Sequence, residues 1–265
     1  MAIVIQAFSP VALSLGALDV RWYALAYVAA FVVGYWLLRH LVGAGRGASL
    51  LNKKQMDDLF TAVVLGVILG GRLGYVLFYN PGFFWTHPWE IFAIWHGGMS
   101  FHGGLLGVIA AVFWVAHRAR VNPWRILDPI AVVAPIGLFF GRIANFINME
   151  IMGRPTDVAW GVIFDGVSDT ARHPSPLYEA ATEGLLLFAL MYGLWRFTKL
   201  RARPGALSGV LGMGYAAVRI FCEQFRAPDA QIGFLTSWGL TMGQLLSAVM
   251  FVAGATIFAV AMRKK

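Results

Sequence analysis

The stretch PIGLFFGRIANFINME, residues 135–150, begins as a membrane-spanning helix and then breaks the pattern. Arg142 follows an apolar run, and Asn145, Asn148 and Glu150 come close behind it. A cation near the centre of a spanning helix costs ~2.5–3.5 kcal/mol on insertion scales. What offsets that cost decides how the rest of the chain is read.

Composition places the chain in a bilayer. Of 265 residues, 59% are hydrophobic and 13% charged, with a mean hydropathy of +0.69. Soluble domains lie near half apolar and about a quarter charged. The first cation is Arg21, so the basic start of a secretory signal peptide is missing. A single cysteine, Cys222, excludes an intrachain disulfide framework and a cysteine-based metal cluster. The net charge of +8 and pI near 9.9 are read as loop charge on one membrane side, with no nucleic-acid partner.

Apolar runs of about 20 residues mark spanning helices. About seven are expected, near 20–38, 58–79, 99–117, 127–147, 176–197, 207–225 and 238–262, or six if 176–197 is re-entrant. Alternate connections are basic. One holds Arg39, Arg46, Lys53 and Lys54, the next Arg118, Arg120 and Arg125, and the third Arg196, Lys199, Arg201 and Arg203; the tail adds Arg263, Lys264 and Lys265. Fourteen of the 21 basic residues thus share one side, which the positive-inside rule makes cytoplasmic. The N-terminus is then outside and the C-terminus inside. Trp85, Trp89, Trp95, Trp160 and Trp238 lie on the outer connections, as an interfacial aromatic belt would. No repeat or linker divides the chain. The fold expected is all-α: a polytopic membrane helical bundle in a single domain over 1–265, with an outer loop at about 148–175 as a small extramembrane element.

Seven cations remain, and all are arginine: Arg21, Arg72, Arg142, Arg154, Arg172, Arg219 and Arg226. Arginine suits sites where a planar fork grips phosphate or carboxylate at two points. At ~1.5 Å per residue, Arg72, Arg142 and Arg219 stand ~20, ~22 and ~18 Å up their helices from the inner side. His102 enters its helix from outside and sits ~5 Å in. All four fall in the outer half of a core ~30 Å thick. One arginine alone could snorkel or pair structurally; three at one depth call for a compensating anion. The acids nearby are few, chiefly Glu150 and Glu223, so the missing charge is expected to be a ligand. Asn145 shares a helix face with Arg142; Tyr215, Arg219, Glu223 and Arg226 form one polar seam; Arg72, Tyr75 and Tyr79 form another.

The remaining motifs narrow the chemistry. In SFHGGLLG, residues 100–107, His102 precedes glycines that admit a ligand or a neighbouring helix. Imidazole suits a general base near neutral pH, and no second metal-ligating side chain lies near it. Gly66 and Gly70 in GVILGGRLG have helix-packing spacing. GVLGMG at 209–214 lacks the strand a nucleotide loop requires. Cys222 reads as a small apolar filler. In RHPSPLYEA, residues 172–180, and just after it, Glu179 and Glu183 occupy the first turns of a helix, where acids complement the dipole. These features suggest an outer-leaflet site for an anionic, phosphate-bearing amphiphile with no metal, nucleotide or redox cofactor. They leave open whether it is bound, transported or converted.

FHGGLLG (101–107), GRIANFINMEIMGRP (141–155), RHPSPLYEA (172–180) and RIFCEQFRAPDAQIG (219–233) together resemble the prolipoprotein diacylglyceryl transferase family. RWYALAY (21–27) and GGRLGYVLFYN (70–80) extend the likeness over nearly the whole chain. The family usually has Gly where Ala144 and Met149 stand and Gln where Pro176 stands, and its outer loop is longer. The resemblance implies an enzyme of the bacterial plasma (inner) membrane, multi-pass, with no cofactor and its site in the outer-leaflet half. It would move diacylglyceryl from phosphatidylglycerol, a membrane lipid, to the lipobox cysteine of a prolipoprotein signal peptide, forming a thioether and releasing glycerol phosphate. His102, Arg142 and Arg219 would be catalytic. Tyr23, Arg72, Tyr75, Asn145, Asn148, Glu150, Gly153, Glu223 and Arg226 would bind substrate. The alternative is a transporter or binder of anionic lipid.

Overall fold

The computed structural model describes residues 2–16, 18–43, 50–79, 81–228, 233–237 and 239–263. Arg46, Trp238, Lys264, Lys265 and positions 229–232 of the 219–233 motif lie outside the described residues. Two compact units emerge: Met1–Leu38 with Asp128–Lys265, and Arg39–Leu127.

The helical expectation holds. Among the described residues, six helices are long and apolar enough to cross a membrane: Trp22–Val42, Lys53–Phe78, Phe101–Ala119, Trp124–Ile147, Ser175–Phe197 and Met242–Arg263. The seventh expected span corresponds to a shorter apolar helix, Ala206–Cys222. It stops short of residue 225 because the chain turns at Glu223, whose backbone N–H still bonds to Arg219 O.

In the unit Arg39–Leu127, α2 (Lys53–Phe78) starts at Asn52 in a capping box with Gln55. A short helix α3 (Pro81–Thr86) and two 3₁₀ turns (Pro88–Phe92, Ile94–His96) lead to α4 (Phe101–Ala119). Gly66, Gly70 and Gly74 of α2 meet Gly103 and Gly107 of α4 backbone to backbone; a Cβ on Gly74 would sit 2.8 Å from Gly103 Cα. The small-residue spacing read from the sequence is therefore a helix seam, and the glycines after His102 admit a neighbouring helix. Leu65, Leu69, Leu73 and Leu77 point outward from α2 and are exposed. A helix apolar on its outer face is a lipid-facing one.

The other unit carries the few strands. β1 (Ile3–Gln6) pairs in parallel with β4 (Val162–Asp165), and β2 (Val11–Leu15) forms a hairpin with β3 (Leu18–Arg21). Isolated bridges join Gly153 to Arg226 and Arg172 to both Pro155 and Val162. The 148–175 loop is thus folded, not irregular. The helices are α1 (Trp22–Gly43), α5 (Trp124–Ile147), α6 (Ser175–Glu179), a π-helical segment (Ala180–Leu186), α7 (Leu187–Phe197), α8 (Ala206–Cys222) and α9 (Met242–Arg263). Val132, Leu187, Met191, Leu207 and Ala216 form the buried interior. The N-cap of α8 is Gly205, whose φ of +96° favours glycine and which has no side chain to cap the helix. Asp128 on α5 supplies the cap: its carboxylate accepts from Gly205 N at 2.8 Å, Ser208 N at 2.8 Å and the Ser208 hydroxyl at 2.7 Å.

Candidate functional site

Arg142 on α5 and Arg219 on α8 converge on one carboxylate. Arg219 Nη1 donates to Glu179 Oε1 at 2.6 Å, and Arg142 Nη1 lies 2.9 Å from Glu179 Oε2, out of line for a hydrogen bond. Arg142 also donates from Nε and Nη2 to Glu183 Oε2, at 3.1 and 3.0 Å. Arg219 Nη2 donates to Glu223 Oε1, and Arg226 Nη1 reaches Glu179 Oε1 at 3.5 Å. Three guanidinium groups and three carboxylates therefore interlock.

The expectation that acids are scarce here is corrected. Glu179 and Glu183, expected to complement the helix dipole, both lie within the cluster and are 0% exposed. Side-chain spacing alone could not aim them there. The π-helical turn after Glu179 widens the helix by one residue. Gly184 lets that turn approach α5, since a Cβ there would meet Phe139 Cβ at 2.7 Å. The signal available in the sequence was Glu179 and Glu183 four apart, followed at once by glycine.

Exposure distinguishes the two kinds of charge. The side chains of Arg142, Arg219 and Arg226 are 16, 12 and 13% exposed, whereas Glu179 and Glu183 have no exposure. The cations form the accessible side and the carboxylates back them. Arg142 commits two of its five N–H groups to hydrogen bonds among the described residues, and so does Arg219. Both retain donors for a further acceptor.

Arg72 is built differently. Its Nε donates to Ile91 O at 2.9 Å, Nη1 to Gly97 O and Gly98 O, and Nη2 to Glu90 O and Ala93 O. All five N–H groups go to backbone carbonyls of the irregular 88–98 segment, which leaves none for a phosphate. Its guanidinium also rests on Phe84 at 5.1 Å and Tyr75 at 5.9 Å. Arg72 and Tyr75, expected among the substrate ligands, thus hold a connection in place.

The other expected residues fall as follows. Glu150 accepts from Asn145 Nδ2 at 3.2 Å, and its own N–H bonds to Asn145 O at 2.9 Å. Asn148 has a buried Oδ1 that accepts no hydrogen bond among the described residues. Met149 and Ile151, on either side of Glu150, adopt φ of +57° and +60°. That is strained backbone for side chains of these types, and strain of this kind gathers at functional sites. Gly153 is wedged between two chains: a Cβ would lie 2.6 Å from Phe225 O and 2.7 Å from His173 Cβ. Arg154 donates from Nε to Arg226 O at 2.9 Å, tying the loop to the turn after α8. Burial holds the His173 imidazole below its usual pKa; its Nδ1 lies 3.1 Å from the Tyr178 hydroxyl. Tyr23 packs on Tyr27 with ring centroids 5.3 Å apart. His102 belongs to the other unit, exposed on the first turn of α4 with its ring edge-on to Phe101.

A family model described as prolipoprotein diacylglyceryl transferase matches residues 10–260. The chain belongs to the prolipoprotein diacylglyceryl transferase family. A phosphatidylglycerol–prolipoprotein diacylglyceryl transferase of Rhodospirillum rubrum is 50% identical over 265 residues, covering 100% of this chain and 96% of the relative. One from Methylocella silvestris is 50% identical over 259 residues, covering 97% and 94%. The family resemblance read from six motifs therefore extends through the chain.

Proposed function

We propose that this chain transfers the diacylglyceryl group of phosphatidylglycerol to the lipobox cysteine of a prolipoprotein, the first step of lipoprotein maturation. The sulfur–carbon bond of a thioether forms, the carbon–oxygen bond to phosphate breaks, and glycerol phosphate leaves. Family membership and the names of its relatives support this reading. So does one observation: Arg142 and Arg219 both pair with one buried carboxylate, and among the described residues each keeps N–H donors outside its hydrogen bonds.

A thiol with pKa ~8.5 must become a thiolate to attack carbon. Negative charge then moves to the leaving phosphate. Arg142 and Arg219 stabilise it with forks already oriented by Glu179, Glu183 and Glu223, in a site of low dielectric where fixed charge counts most. Arg226 belongs to the same cluster through Glu179, and Asn145, one turn beyond Arg142 on α5, adds a hydrogen bond to the phosphate. His102 takes the thiol proton, or else orders the water and arginine that do. The reading includes a single integral-membrane domain in the bacterial inner membrane, seven spans with α8 as the shortest, and the N-terminus outside. The site then lies in the outer-leaflet half.

Purified protein in detergent, given labelled phosphatidylglycerol and a lipobox peptide, is expected to form the thioether without any gradient. Arg142→Lys keeps the charge, loses the fork and should lose at least ~100-fold in kcat/KM, as removal of a preorganised donor does. Near-normal turnover by that variant would refute the phosphate-clamp role. Unchanged lipid moved between compartments would instead mark a transporter. His102→Asn should lower the rate strongly, and an unaltered pH–rate profile would remove it as base.

A further inference from the structure

Glu223 stands where α8 ends, so its backbone is the least constrained part of that helix. Its carboxylate is nevertheless 3% exposed and held from two directions. Oε1 faces Arg219 Nη2 and lies 3.9 Å from Arg226 Nε. Oε2 accepts from the Thr241 hydroxyl at 2.9 Å. Thr241 is the residue just before α9 and forms a capping box with Gln244. Gln244 N donates to Thr241 Oγ1 at 3.2 Å, and Thr241 N donates to Gln244 Oε1 at 3.1 Å.

The hydroxyl has one proton and accepts from the helix, so that proton is directed at Glu223. The N-terminus of α9 also favours a carboxylate beside it. Gly243 completes the fit: a Cβ there would sit 2.8 Å from Glu223 Cδ. The registry is fixed elsewhere along the two helices, where Gly212 of α8 faces Gly254 of α9, a Cβ on Gly212 lying 3.2 Å from Gly254 Cα. Eleven residues separate Gly212 from Glu223, and eleven separate Gly254 from Gly243, as antiparallel helices require.

We infer that Thr241, with Gly243, is a positioning residue that fixes Glu223 and through it the aim of the Arg219 guanidinium. The inference rests on the transferase reading above. Nothing in the 219–233 motif signals it, because Thr241 lies beyond that motif.

The experiment compares wild type with Thr241→Val, Thr241→Ser, Gly243→Ala, Glu223→Gln and the Glu223→Gln/Thr241→Val double variant. Each is assayed in detergent with phosphatidylglycerol and a lipobox peptide, with rates normalised to folded enzyme. Thr241→Val should lower kcat roughly tenfold, the scale of one hydrogen bond to a charged group, with KM for the lipid within about twofold. Thr241→Ser should restore the rate. Gly243→Ala leaves the helix cap intact and, by crowding Glu223, should lower kcat per folded molecule similarly. In the Glu223→Gln background Thr241→Val should add less than about twofold, since the two act as one unit. Full additivity, failure of serine to rescue, or wild-type rates in both Thr241→Val and Gly243→Ala would overturn the inference. Absence of thioether from the wild type would instead overturn the transferase reading.

Discussion

Arg219 and Glu179, forty positions apart in sequence, meet at 2.6 Å between Nη1 and Oε1 with the carboxylate wholly buried. The same carboxylate reaches Arg142, so two helices are joined through one side chain. Charge in the cluster is arranged in depth, acids behind and cations in front. The cost of burying the arginines is offset within the protein.

Glu179→Gln follows directly. It keeps size and removes the charge that Arg142, Arg219 and Arg226 share. Breaking a buried pair by removing one partner costs ~3–5 kcal/mol. The variant should unfold at a lower temperature in detergent and lose at least tenfold in turnover per folded molecule. Wild-type behaviour on both measurements would show the three-way pairing to be inconsequential.

Arg72→Lys should behave otherwise. Lysine offers three donors on a point charge and cannot serve five carbonyls in a plane. The 88–98 segment should become open to limited proteolysis and lose amide protection. The KM for phosphatidylglycerol should stay within about twofold of wild type. A large rise in KM with an intact loop would return Arg72 to the substrate site.

Asp128→Ala removes the cap that Gly205 cannot provide. Loss of a helix cap costs ~0.5–2 kcal/mol, and full burial of Asp128 puts this case at the upper end. The melting temperature should fall by roughly 4–8 °C for a chain of this size. Activity per folded molecule should be retained, as measured by titrating product against native protein.

Met149→Gly tests the strained turn beside Glu150. Relief of a left-handed conformation is worth ~1–2 kcal/mol per residue, partly offset by ~0.5–1 kcal/mol of glycine chain entropy. The melting temperature should hold or rise slightly. A clear fall would mean that the Met149 side chain contributes more packing than its backbone conformation costs.

Much of this was legible in the sequence. Six apolar runs match helices of spanning length, and the glycines of α2 announced their packing. The pairing of Arg219 with Glu223 was visible because i, i+4 spacing fixes one face, whereas Arg226 reaches the cluster from the turn beyond the end of α8. What helical spacing could not reveal was everything carried by non-helical backbone. Glu179 and Glu183 enter the cluster through a π turn, Arg72 is claimed by a distant irregular segment, and β1 pairs with a strand some 160 residues away. Depth in a helix was readable, whereas the partners a side chain meets there depended on tertiary contacts with no local period.

The π turn at residues 180–186 has one more consequence. An inserted residue shifts everything beyond it by about 100° around the helix axis. The stretch from Leu187 to Phe197 can therefore keep its own seat in the interior, with Leu187 and Met191 buried, while the preceding turn presents Glu183 to the arginines. Deleting a single residue there would restore regular winding and force one half to give up its neighbours.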